Sequence, residues 1–153
     1  MSLQYSKHFP YKQIRPQQKQ AIEFALDKNI NEGKRFIIIE AGTGVGKSAI
    51  GLTVARYLSE KLSNATGLFE PGSYFLTTQK ILQEQYVKDF GGFSGPMKSI
   101  KSSSNYTCRF NKKTSCGESL RTLRTAEKGS AFWKACTFNC VYRNAKEGFL
   151  KSP

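Results

Sequence analysis

The chain has 153 residues, a length that suits one domain and excludes two complete lobes. Lys and Arg number 24 against 11 Asp and Glu, and the formal net charge of +13 predicts a polyanionic partner, either nucleic acid or an acidic membrane surface. No apolar run is long enough to span a membrane, and the N-terminus lacks the apolar core of a signal peptide. We therefore expect a soluble, intracellular chain, cytoplasmic or, in a eukaryote, nuclear.

The first elements are predicted to be a helix and a strand. Apolar residues recur at helical spacing over 16–31, and Pro16 suits a first helical turn, so we expect a helix that ends near Gly33. The following run "RFIIIE", residues 35–40, is β-branched and aromatic without alternation. That pattern is typical of a strand covered on both faces in a parallel sheet.

The next elements repeat this order. Helical spacing returns from Lys47 to about Leu62, and residues 73–78, "SYFLTT", predict a second strand. A helix is expected over 79–90, because Gly91 and Gly92 directly after it would end the helix. The β-α-β-α order predicts an α/β fold that opens a parallel sheet.

The glycine-rich stretch "EAGTGVGKSAIG", residues 40–51, lies between the first predicted strand and its helix. It fits the phosphate-binding loop pattern except that an alanine stands at the first glycine. In that pattern Lys47 reaches the β- and γ-phosphates and is the candidate catalytic residue, and the Ser48 hydroxyl binds Mg²⁺. The predicted phosphate cradle is Ala41, Gly42, Thr43, Gly44, Val45, Gly46, Lys47 and Ser48.

All four cysteines fall in the polar, basic segment that begins at residue 98. Their spacing is C-x7-C, then 19 residues, then C-x3-C, for Cys108, Cys116, Cys136 and Cys140. Four thiolates are a full ligand set for a 4Fe-4S cluster or for tetrahedral zinc, and the absence of a C-x2-C pair favours iron only mildly. Four unrelated buried thiols are the alternative, but a segment with so little apolar periodicity needs another source of ordering free energy, which a metal centre supplies.

Basic and aromatic residues alternate around the cysteines. The candidate phosphate contacts are Lys112, Lys113, Arg121 and Arg124, and the aromatics Tyr106, Phe110, Phe132 and Trp133 are candidates for stacking on unpaired bases. The alternative is a solvated basic face, with the aromatics packed around the metal centre.

Several motifs resemble those of superfamily 2 helicases. The loop "EAGTGVGKS" resembles their motif I, and "FPYKQIRPQQ" resembles an N-terminal motif in which a glutamine recognises adenine. The resemblance implies that Gln18 contacts the base and that Tyr11 lies near it. The stretch "TTQKILQEQ" resembles motif Ia, which lies along single-stranded DNA and corresponds to Thr78, Leu82 and Gln85.

The flanks "SNYTC" and "CVYRNA" of the cysteine segment resemble the iron-sulfur insertion of helicases of the XPD and DinG type. The resemblance implies a partial RecA-like P-loop NTPase lobe over residues 1–97, a 4Fe-4S insertion over 98–147 and a return to the lobe over 148–153. It also implies an ATP- and Mg²⁺-dependent DNA helicase of 5′ to 3′ polarity in DNA repair or replication. The expected partners are single-stranded or forked DNA and a second helicase lobe, with no membrane.

Phosphoryl transfer also needs an acidic residue that holds Mg²⁺, and the chain has no Asp-Glu pair. We therefore expect the N-terminal part of a helicase, which binds nucleotide weakly and does not unwind DNA alone. Two alternatives stay open: a basic module that binds single-stranded DNA and has a vestigial loop, and a P-loop ATPase with a zinc insertion.

Overall fold

The computed structural model describes residues 4–66, 72–91 and 97–151. These residues form two compact units, the first reaching Leu76 and the second beginning at Thr77. The helices in the described ranges are α1 (Pro16–Ile30), α2 (Lys47–Thr66), α3 (Lys80–Phe90), α4 (Cys116–Thr122), α5 (Ala131–Phe138) and α6 (Val141–Leu150), with 3-10 turns at Ser6–His8 and Ser103–Asn105. In this part of the chain, none of the helices has both the length and the apolar character needed to cross a membrane.

The three helices predicted in the first 90 residues are confirmed. Helix α1 begins at Pro16, whose fixed φ suits a first helical turn, and it ends before the left-handed Gly33, with φ 65°. Helix α2 begins at Lys47 as expected and extends to Thr66, four residues beyond its predicted end. Helix α3 ends one residue before Gly91, as the glycine pair predicted.

The two predicted strands have no strand pairing among the described residues. Residues 36–40 and 72–77 carry no regular secondary structure, and Ile38 and Leu76 are 92% and 94% exposed. The physical reason is that a strand is defined by hydrogen bonds to a neighbour, and neither segment has such a neighbour in the described ranges. The parallel sheet therefore stays a prediction.

The core of the first unit joins its N-terminal segment to α1 and α2. The cluster comprises Tyr5, Phe9, Ile22, Leu26, Ala49, Ile50 and Tyr57. The Tyr5 hydroxyl donates to Glu23 Oε1 at 3.0 Å, and burial together with this carboxylate raises the pKa of Tyr5 to about 12. Because this core fixes α1 against α2, it also fixes the end of the glycine-rich loop that enters α2.

Three helices of the second unit were not predicted, because each is only seven to ten residues long. Their caps are nevertheless visible in the sequence. The Ser115 hydroxyl accepts from Glu118 N at 3.2 Å, and Glu118 Oε2 accepts from Ser115 N at 2.8 Å. This capping box is visible in the sequence as "SCGE" and is the signal that would have predicted the start of α4. The Ser130 hydroxyl caps α5 in a similar way by accepting from Trp133 N at 3.2 Å.

Candidate functional site

The glycine-rich loop turns sharply into α2 by means of two glycines. Gly44 and Gly46 have φ of 84° and 87°, in the left-handed region that side chains rarely adopt. When residues with left-handed backbone conformation alternate with right-handed ones, successive backbone N–H groups point to the same concave side of the chain. Such a concave surface at a helix N-terminus suits a bound anion. The loop conformation therefore requires glycine at positions 44 and 46.

The Lys47 side chain folds back across this loop. Its ammonium donates to Ala41 O at 2.9 Å and to Gly42 O at 3.0 Å. Because the contact at position 41 is made by a backbone carbonyl, an alanine provides it as well as a glycine would.

Ser48 follows as the second residue of α2 and is half-buried. Thr43 lies exposed between Gly42 and Gly44, and Val45 is half-buried.

The start of α1 holds the loop through two side chains. Gln18 Nε2 donates to Val45 O at 2.9 Å, and Arg15 Nη1 donates to Gly44 O at 3.2 Å. Gln18 Oε1 accepts from Arg15 N at 3.0 Å, which satisfies an amide at the helix N-terminus. The structure thus brings the sequence-predicted Gln18 to the loop. Tyr11, the other expected adenine contact, is 58% exposed, and its ring meets Phe9 edge-on at 5.9 Å.

The second unit gathers all four cysteines around one cavity. Cys108, Cys116, Cys136 and Cys140 are 5%, 1%, 3% and 7% exposed, and each lines the cavity wall. Arg109, Phe110, Ser119, Ala135 and Asn139 complete the lining. The cysteines that the sequence proposed as one ligand set are therefore neighbours in space.

Local backbone structure explains why the cysteines meet. Cys108 N donates to Thr114 O at 3.0 Å and Cys116 N donates to Tyr106 O at 2.7 Å, which folds residues 108–114 into a closed loop. Cys136 lies in α5, and Cys140 is the residue that immediately precedes α6.

The pKa values of Cys108, Cys116 and Cys136 are shifted in different directions. Burial raises the pKa of Cys116 and of Cys136, and neighbouring thiols add to both shifts. Burial acts in the same direction on Cys108, but hydrogen bonds from the Ser119 hydroxyl and from two backbone amides outweigh it and lower its pKa. Ser119 is 6% exposed, and its hydroxyl also lies 3.2 Å from that of Thr114.

No group of three or more His, Cys, Asp or Glu side chains is placed to hold a metal ion in the described ranges. Zinc bound by four thiolates brings their sulfurs to within about 3.8 Å of one another, as Zn–S bonds of about 2.3 Å in a tetrahedron require. The four thiols line one cavity but do not form such a ligand group among the described residues.

The candidate nucleic-acid residues all belong to the second unit. Thr78 precedes α3, and Leu82 and Gln85 lie on its exposed surface, where Lys101 forms an ion pair with Glu84. The basic candidates Lys112, Lys113, Arg121 and Arg124 are exposed. Among the aromatics, Phe110 is 53% exposed and meets Phe132 edge-on at 5.4 Å, while Tyr106, Phe132 and Trp133 are half-buried.

Two side chains that support these sites were not predicted from the sequence. Arg15 directly precedes the predicted first helix, and its position as N-cap was the available signal. Ser119 gives no signal, because one serine in a serine-rich segment matches no pattern. Its place beside Cys108 depends on the fold of the loop that carries Cys108.

A glycine-rich loop that leads into a helix at a lysine and a serine is the pattern typical of P-loop nucleotide-binding proteins. Residues 11–137 match the family model ResIII, described as the res subunit of type III restriction enzymes. The chain belongs to this family, which is helicase-like, of superfamily 2, and uses ATP and Mg²⁺. The matched stretch contains the phosphate loop, α3 and three of the four cysteines. No curated protein and no solved structure matches the chain.

The loop geometry predicts different costs for two glycine substitutions. A Cβ at Gly46 would lie 2.5 Å from Gln18 Nε2 and would sit on a residue with φ 87°, whereas a Cβ at Gly42 meets nothing within 4 Å. We expect Gly46→Ala to lower the free energy of unfolding by at least about 1–2 kcal/mol, the cost of a left-handed alanine. Gly42→Ala is the matched control and should change it by less than about 0.5 kcal/mol. Urea unfolding followed by circular dichroism measures both, and equal costs would contradict the loop geometry.

Proposed function

We propose that the chain binds ATP-Mg²⁺ through residues 41–48 as the nucleotide-binding part of an ATP-dependent DNA helicase. One observation carries the proposal: the Lys47 ammonium lies across a loop whose glycines are left-handed, at the N-terminus of a 20-residue helix. Membership of a helicase-like family supports it. The XPD and DinG type, with 5′ to 3′ polarity and a role in DNA repair or replication, is the finer assignment that the motifs favour.

Each loop residue has a chemical task in this proposal. The Lys47 ammonium exchanges the two carbonyls for the β- and γ-phosphates, to which it is a charged donor. The backbone from Ala41 to Gly46 cradles the phosphates, and the Ser48 hydroxyl takes a place in the Mg²⁺ shell. Hydrolysis also needs an acidic residue near Mg²⁺, and since the sequence has no Asp-Glu pair we assign that step to the complete helicase with its second lobe.

We also propose that residues 35–40 and 73–78 become strands of a parallel sheet when a RecA-like lobe is complete. The support is that their apolar side chains are exposed, Phe36 by 87% and Leu76 by 94%. Apolar runs of this kind are typical of strands covered on both faces. The domain division proposed from the motifs is 1–97 for this lobe, 98–147 for the insertion and 148–153 for the return.

We propose that the four cysteines hold a 4Fe-4S cluster. The support is that all four thiols are buried and line one cavity. The donor set fits, because the thiols are buried together and Cys108 already accepts hydrogen bonds from Ser119 and the backbone. A bound cluster supplies folding free energy to a unit whose buried side chains, in the described ranges, are these cysteines, Phe90 and Ser119.

Single-stranded or forked DNA is the proposed nucleic-acid partner. The exposed Lys112, Lys113, Arg121 and Arg124 provide positive charge for phosphates. Thr78 and Gln85 are exposed at α3, in keeping with the motif they resemble. Phe110 offers an exposed ring for base stacking, while Phe132 supports it edge-on.

The nucleotide proposal predicts a specific loss for Lys47→Ala. Removal of charge-assisted hydrogen bonds to phosphate should weaken ATP-Mg²⁺ binding by about 10- to 100-fold. Lys34→Ala, which removes an exposed lysine outside the loop, is the matched control and should change it less than about twofold. Titration with a fluorescent ATP analogue measures both. If ATP affinity is the same in all three proteins while DNA binding persists, the basic binding module with a vestigial loop is the better account.

The cluster proposal predicts the metal content of the chain purified without oxygen. We expect about four iron atoms and about four acid-labile sulfides per chain, with the brown colour of such clusters. Cys136→Ser should lose most of the iron, whereas Thr137→Ser, on the same helix, should retain it. Elemental analysis decides the matter: a colourless chain that contains zinc, or no metal, would refute the cluster.

The DNA proposal predicts a change in salt dependence. Each phosphate contact to a single strand contributes about 0.7 to the slope of log K against log salt, so the double variant Lys112→Ala and Lys113→Ala should lower the slope by about 1.4. A double variant of Lys19→Ala and Lys34→Ala in the first unit removes the same charge and should leave the slope almost unchanged. Fluorescence anisotropy with a labelled oligonucleotide measures it. Equal slopes for the two double variants would place the DNA contacts elsewhere.

A further inference from the structure

The hydroxyl of Ser119 is a buried polar group in the wall of the cavity that the four cysteines line. Ser119 is 6% exposed and lines this cavity together with Cys108 and Cys116. It lies three residues after Cys116 in α4, and side chains at this spacing share one face of a helix. Its backbone amide donates to Ser115 O at 3.1 Å and is satisfied within the helix. The helix therefore presents a thiol and a hydroxyl to the same cavity.

The sulfur of Cys108 is surrounded by hydrogen-bond donors. The Ser119 hydroxyl and two backbone amides of the loop that follows Cys108 donate to it. Cys116, by contrast, also uses its own thiol as a donor, to Thr107 O at 3.6 Å. A sulfur that accepts several hydrogen bonds is suited to the negatively charged form that ligates a metal. The surroundings of Cys108 therefore suit a ligand sulfur.

A second hydroxyl, that of Thr114, lies next to Ser119. The two hydroxyl oxygens are 3.2 Å apart, and Thr114 Oγ1 also donates to Asn111 O at 3.1 Å. Each hydroxyl has a single proton, so Ser119 can donate either to Thr114 or to the sulfur of Cys108. A ligand sulfur carries negative charge and is the stronger acceptor. When Cys108 is a ligand, the Ser119 proton is therefore directed to the sulfur, and Thr114 can turn its own proton toward Ser119.

We propose that Ser119 is a positioning residue that sets the reduction potential of the 4Fe-4S cluster through a hydrogen bond to the Cys108 sulfur. This inference rests on the proposed cluster. Hydrogen bonds to the sulfurs are among the factors that set the potential of such clusters. Reduction adds one electron and makes the sulfurs more negative, so a donor to sulfur stabilises the reduced form more than the oxidised form. Ser119 therefore raises the potential.

The test measures the midpoint potential of the whole chain, purified without oxygen, in a redox titration with dithionite as the reductant. Ser119→Ala removes the donor and should lower the ratio of reduced to oxidised cluster at a fixed potential by about tenfold. For a one-electron couple this is a shift of about 59 mV to lower potential. Thr122→Ala removes an exposed hydroxyl of the same helix, which donates to Glu118 O at 3.3 Å, and is the matched control with an unchanged potential.

A second pair of variants keeps the test decisive if Ser119→Ala does not fold. Threonine and valine have the same shape and differ in the hydroxyl. Ser119→Thr retains the donor and should keep the potential close to that of the unsubstituted chain, whereas Ser119→Val should lower it as the alanine does. A difference between these two variants reports the hydrogen bond and not the packing of the side chain.

The potentials and the iron content together decide the outcome. If Ser119→Ala or Ser119→Val retains about four iron atoms and the potential of the unsubstituted chain, the inference is wrong. An equal fall in Thr122→Ala would also overturn it, because the effect would then not depend on contact with Cys108. If the unsubstituted chain contains no iron, the cluster proposal itself fails and this inference fails with it. Iron analysis shows that result before any variant is compared.

Discussion

The hydrogen bond from Gln18 Nε2 to Val45 O connects the first helix to the glycine-rich loop, and the geometry of the proposed nucleotide site depends on it. The loop needs left-handed φ angles at positions 44 and 46, which glycine adopts readily and other residues rarely do. It persists here because the core around Leu26 and Ile50 fixes α1 against α2, and because α1 then holds the loop through its first turn. Lys47 is thereby placed where a phosphate would meet it.

The second unit is stabilised in a different way. The first unit buries aromatic and aliphatic side chains from three segments, whereas the described part of the second buries four cysteines, Phe90 and Ser119. Burial of so few apolar groups offsets little of the entropy of ordering a segment of this length. Neighbouring thiols raise the pKa of Cys116 and of Cys136, so a positively charged group among them would stabilise the arrangement. This is the physical argument for the cluster that we propose.

Local signals in the sequence predicted the first three helices well. Pro16 and the glycine-to-lysine step at Lys47 mark helix starts through local backbone geometry, so a short stretch of sequence predicts them. The short helices α4 to α6 were missed because caps such as Ser115 specify them more than apolar periodicity does. Cysteine spacing predicted which residues would meet, but not that Ser119 would donate to Cys108. Likewise, the motif predicted a functional role for Gln18. It did not predict the contact with Val45, because that contact depends on how α1 packs on α2.

The central claim is that residues 41–48 form the nucleotide site, and mapping of backbone amide chemical shifts tests it most directly. The isotope-labelled 17.2 kDa chain would be titrated with ATP-Mg²⁺. The account predicts that the largest shifts occur at the amides of Gly44, Gly46, Lys47 and Ser48, and that those of α4 to α6 change little. Shifts that are absent from the loop, or largest in the second unit, would contradict it.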